Sequence, residues 1–154
     1  SSGYLQLSTN PTAIVGTTGQ ATMPWLKSTN IPENATTVLA TIDGSNNYTF
    51  KFSGMFLISF HDGSSPWGTK TWLYTFAGRV AQNSGAFTPI YNLVSSSGDL
   101  DNGSGTLQPV ITVTSSHTST QMNAKMYINI QTGTYHAGYA NIMIWGSGDY
   151  SSIY

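Results

Sequence analysis

The chain contains no cysteine. Disulfides, thiolate nucleophiles, cysteine-ligated zinc and iron–sulfur clusters are therefore excluded. Charge is nearly as scarce, since Asp, Glu, Lys and Arg make up 7% of the 154 residues, against about 25% in an average soluble domain. Five basic and six acidic residues leave a net charge of −1. That balance lacks the basic footprint that a phosphate backbone requires, and the cationic face of a helix lying on a lipid surface. Nucleic acid is not an expected partner. No apolar run approaches the length of a membrane span, so no membrane insertion is expected, and no basic-then-apolar leader opens the chain.

Apolar residues make up 39% of the chain and aromatic residues 12%, which is enough burial to offset the entropy of ordering. Ser, Thr, Asn and Gly fill the places that charged residues usually take. That mixture favours strands and turns over helices. The length suits one domain over residues 1–154, with Ser1-Ser2-Gly3 read as a cloning remnant or the end of a shaft.

Alternation of apolar and polar residues identifies the strands. Over residues 48–60, Phe50, Phe52, Phe56, Ile58 and Phe60 share one parity, and Lys51, Ser53 and Ser59 share the other. A period of two means a strand with the Phe residues facing a core. Gly54 interrupts the run as a bend or bulge would. Residues 70–81 repeat the pattern with Trp72, Tyr74, Phe76 and Val80, and the Gly/Ser/Pro stretch 61–68 joins the two runs into a hairpin. Further strands are expected at 37–43, 87–94, 106–114, 124–131 and 139–145, with a turn at 43–47 and a loop at 95–105. No helical period with caps occurs. Eight to ten strands at this spacing predict an all-β antiparallel sandwich or jelly roll.

The titratable residues offer little chemistry. Most acids sit in turn sequences, where Asp bonds the backbone two residues on. Asp99 and Asp101 form the one close pair, but a calcium loop would need an oxygen ligand and a Glu where Gly103 and Val110 stand. His61, His117 and His136 show no metal-ligand spacing, and no Gly-x-Ser-x-Gly elbow is present. His61 adjoins Asp62, which does not make the two side chains face each other. The sequence therefore predicts no enzyme, no metal and no cofactor.

The aromatic residues are more informative. Trp25, Trp72 and Trp145 lie in or beside apolar runs and suit core or subunit packing. Trp67 lies in a Gly/Ser/Pro loop, where an indole can stack on a sugar ring or a partner side chain. Tyr135, His136 and Tyr139 lie in a loop-like stretch of similar character, 132–139. Trp67, Tyr135, His136 and Tyr139 are the expected ligand contacts.

Two segments also carry a resemblance. Gly54-Met55-Phe56-Leu57-Ile58-Ser59-Phe60 resembles the Gly-x-Tyr-x-Phe-x-Tyr strand of the tumour-necrosis-factor and complement globular-head superfamily, and the stretch from Asp43 to Phe50 is similar to the turn before it. His136-Ala137-Gly138-Tyr139-Ala140-Asn141-Ile142 resembles that family's closing strand, whereas 106–131 departs from its Gly-Asp-x-Val strand. The resemblance implies a trimeric ten-stranded jelly roll that binds receptors on its outer loops or between subunits. Viral and phage fibre heads use related trimers, and the low charge and absent cysteine suit them. The expectation is a receptor-binding head of a viral or phage fibre, at the virion surface or otherwise extracellular, attaching to a host glycan or protein. A capsid or decoration module without a ligand, and a bacterial carbohydrate-binding or adhesin module, remain open alternatives.

Overall fold

The computed structural model describes residues 14–15, 24–45, 50–63, 68–80, 87–100, 108–117 and 123–154. Among the described residues ten strands follow one another: β1 (Ile14–Val15), β2 (Trp25–Ile31), β3 (Thr36–Asp43), β4 (Phe50–Asp62), β5 (Thr69–Val80), β6 (Ile90–Asp99), β7 (Val110–Ser116), β8 (Lys125–Gln131), β9 (Gly138–Asp149) and β10 (Ser152–Ile153). They form two five-stranded antiparallel sheets, ordered β1-β10-β3-β8-β7 and β2-β9-β4-β5-β6. The sheets pack face to face as a sandwich, and no described residue is helical.

The core is built from the inward half of each alternation. Phe50, Phe52, Phe56, Ile58 and Phe60 of β4 are buried, facing Met126, Ile128 and Ile130 of β8 and Leu39 and Ile42 of β3 within one cluster. Trp25 and Trp72 join it, while Trp145 points outward and is 38% exposed. Each large apolar side chain so buried contributes about 1.5–3 kcal/mol relative to exposure.

Gly54 does not break β4, which pairs without interruption with β5 and β9. It sits opposite Phe76 and Gly146. A Cβ at 54 would run into the Trp145 carbonyl, so the glycine admits the close approach of β9. Phe76, facing it, packs on both Phe52 (5.5 Å) and Phe56 (5.3 Å).

Two boundaries differ from the sequence expectation. β6 continues through Ser95, Ser96 and Ser97 to Asp99, where a loop was expected, because β5 supplies a ladder of partners from Ala77 to Thr69. β2 was not expected at all; its Lys27-Ser28-Thr29-Asn30 centre hides the alternation, and its pairing with β9 makes it a strand. The loop holding Trp67, the tip of the expected 43–47 turn and Asp101 lie outside the described residues.

Candidate functional site

At one end of the sandwich the β2–β3 and β8–β9 connections meet the end of β4. Thr132 ties two of them together: its Oγ1 donates to the Pro32 carbonyl (2.6 Å) and its backbone N–H to the Ala35 carbonyl (2.9 Å). The Asn34 N–H donates back to the Gly133 carbonyl (3.2 Å), and Thr134 Oγ1 lies 3.0 Å from Asn34 Oδ1. The end of β4 is held by Gly63 N–H on the Ala137 carbonyl (2.7 Å) and Asp62 N–H on the Gly68 carbonyl (2.9 Å).

Alternation separates His61 from Asp62. Adjacent strand residues face opposite ways, so Asp62 turns inward and His61 outward. Asp62 Oδ2 lies 2.7 Å from His136 Nδ1, and both side chains are almost wholly buried. This separation is a hydrogen bond made through Nδ1. His136 is 1% exposed and acts from beneath the surface, bracing the turn that carries Tyr135. Its Nε2 is buried and has no hydrogen-bond partner among the described residues.

Tyr135 occupies the left-handed region (φ 69°) and is 63% exposed. A bulky residue there costs roughly 1–2 kcal/mol, so the hydrogen bonds and the buried pair around it hold it against that strain. On the outer face of the adjoining sheet, Tyr139 is 46% exposed. It is the cross-strand partner of His61, and the two rings stack at 4.7 Å with 24° between planes. His61 Nδ1 is fixed by Thr69 Oγ1 at 3.1 Å.

Of the four residues singled out from sequence, Tyr135 and Tyr139 are exposed at this end, His136 lies under it and Trp67 is outside the described residues. His61 was missed as a contact. Its signal was the period of β4, which extends to 61 on the outward parity. Among the described residues no group of three or more His, Cys, Asp or Glu side chains could hold a metal ion.

The opposite end carries a second polar cluster. Asp43, the last residue of β3, accepts from Ser45 N–H (2.8 Å) and Ser45 Oγ (2.5 Å), from Lys125 Nζ (3.0 Å) and from Tyr154 Oη (3.2 Å). Burial opposes its ionisation, but the Ser45 and Lys125 hydrogen bonds outweigh this and hold the carboxyl below its ordinary value. The hydrogen bond to Asp43, with Tyr154 behind it, raises the Lys125 ammonium well above its ordinary range.

Comparison of the sequence with protein-family models and with curated proteins finds no match. Among solved structures, the chain is similar to the tailspike protein of Acinetobacter phage vB_ApiP_P1, with 12% identity, a TM-score of 0.40, and coverage of 99% of this chain and 25% of that one. It is also similar to the tailspike protein of Acinetobacter baumannii phage AM24, with 12% identity, a TM-score of 0.42, and coverage of 85% and 28%. The chain thus spans about a quarter of the length of these proteins.

Proposed function

We propose that this sandwich is the receptor-binding head of a viral or phage fibre or spike, wound as a jelly roll and assembled as a homotrimer. In this reading it works at the virion surface and binds, without catalysis, a host-surface glycan through its loop end. The observation that carries the reading is the aromatic platform at that end: the His61–Tyr139 stack together with Tyr135, held outward on a braced turn. Flat, half-exposed rings suit the CH face of a sugar, and neighbouring hydroxyls and imidazole suit its OH groups. Trp67, in the β4–β5 loop, is an additional stacking candidate.

Assembly is supported by the outer face of the second sheet. Leu26, Met143, Leu57 and Leu73 stand in register across β2, β9, β4 and β5, with Met55 and Trp145 in the next row. Apolar rows on an outward sheet face suit subunit packing. The same row favours a second reading, a structural module whose aromatic and apolar residues serve subunit contacts and take no ligand.

A glycan array with the intact chain and with Tyr139→Ala and Trp67→Ala tests the reading, alongside sedimentation. Selective glycan binding that at least one substitution weakens is the expected result. Stable assembly with no glycan bound would leave the structural reading.

A further inference from the structure

A recess lies at the other end of the sheet formed by β2, β9, β4, β5 and β6. It is an open depression of about 500 Å³ between Lys51 and Ser53 of β4, Ala77 to Arg79 of β5, Thr88 and Ile90 beside them, and Ser147 and Gly148 of β9. Small residues open it: Ala77, Ser53 and Ser147 stand side by side on the outer face, where the neighbouring row carries Met55 and Trp145. From Leu57 in the apolar row to Ser53 is four residues, about 13 Å along the strand, so subunit packing and an occupied recess are compatible.

Its charges are unusual for this chain. Lys51 and Arg79 are two of only five basic residues, and they are direct cross-strand partners. Like charges so placed repel. Asp149, the acid that faces them, pairs with Lys51 at 2.9 Å. Arg79 is exposed and has no acidic partner among the described residues. Lys51, Arg79 and Asp149 together leave one positive charge at the mouth of the recess. Ala77 and Ile90, both exposed, supply apolar surface beside it, and Ser53, Thr88 and Ser147 are its hydroxyl-bearing lining residues.

We propose that this recess binds a sugar carrying a carboxylate. Arg79 takes the carboxylate as a bidentate fork with Lys51 beside it. The ring's CH face lies on the Ala77–Ile90 floor, and the three hydroxyls take its OH groups. The inference does not rest on the loop end being a binding surface, because the two sites lie at opposite ends and share no residue.

Calorimetry with a glucuronate-containing disaccharide, its neutral glucose counterpart and inorganic phosphate tests it on the intact chain. The acidic sugar is expected to bind at least about tenfold more tightly than the neutral one, the size of a hydrogen bond to a charged group. Arg79→Gln should erase that difference, Arg79→Lys should keep part of it, and Ala77→Phe should remove binding by filling the floor. Tyr139→Ala should leave it unchanged, which separates this site from the loop end. Amide shifts in NMR should centre on Ser53, Thr88 and Ser147. Equal binding of acidic and neutral sugars, phosphate binding as tightly as the acidic sugar, an unaffected Arg79→Gln variant, or no binding at millimolar concentration by the folded chain would each overturn the proposal.

Discussion

Asp62 and Asp43 each end a long strand, in opposite sheets and at opposite ends of the sandwich, and each takes a partner from a distant segment. Asp62 meets His136 with side-chain exposures of 3% and 2%, whereas Asp43 meets Lys125 with 11% and 28%. Asp149 and Lys51 form a third pair, at 15% and 64%. The geometry is alike, with separations of 2.7, 3.0 and 2.9 Å. What differs is the water that each polar group has lost. Removing one member of a buried pair strands the other where nothing can solvate it, whereas at the surface water takes its place. The loop end therefore depends on its pair far more than the outer face does on Lys51 and Asp149.

The largest expected effect follows from that. Asp62→Ala should destabilise the domain by about 1–3 kcal/mol, the cost of leaving a buried hydrogen-bonding partner unsatisfied, read by urea unfolding, and should shift the resonances of Tyr135 and Tyr139. A cost under 1 kcal/mol would show that the pair does not brace the turn. Asp43→Ala should cost about 1–2 kcal/mol, since hydrogen bonds to a charged group are lost at a partly solvated site.

The second pair should also set a pH window. The folded-state carboxyl of Asp43 lies below its ordinary 3.8. Its contribution is therefore complete above that value and is lost as pH falls through the lowered one. The Lys125 ammonium is raised from 10.5, so its contribution is complete below 10.5 and fades only in stronger alkali. Melting temperature should fall in acid below about pH 4, and Asp43→Asn should flatten that acid limb. The smallest effect belongs to the exposed lysine of the third pair, where Lys51→Ala should cost under about 0.5 kcal/mol in the same unfolding assay.

Much of this fold is legible in local sequence. The parity of β4 identified its buried Phe residues, and the alternation in 124–131 identified Met126, Ile128 and Ile130. The misses share a cause. Ser95 to Asp99 has the composition of a loop and becomes strand because β5 offers unpaired backbone groups beside it. Strand preference depends on the neighbour as much as on the residue. Gly54 read as a break because a glycine's use inside a sheet is known only from what approaches it.

At the candidate sites the division is sharper. Exposed aromatics at Tyr135 and Tyr139 were visible as residues in a loop-like stretch. His136 was visible too, but its place beneath them was not, because Asp62 lies 74 residues away. The His61–Tyr139 stack and the facing of Lys51 and Arg79 follow from register, which no single strand contains.

The sequence by itself determined that this protein has no thiol chemistry, carries little charge and alternates into strands with an aromatic core. Period-two patterning is a local property and survives without knowledge of the partner. Only the tertiary structure decided which outward residues share a surface and which acid meets which base. Those depend on long loop closures and strand register, where a slip of one residue would exchange His61 for Asp62 at the surface.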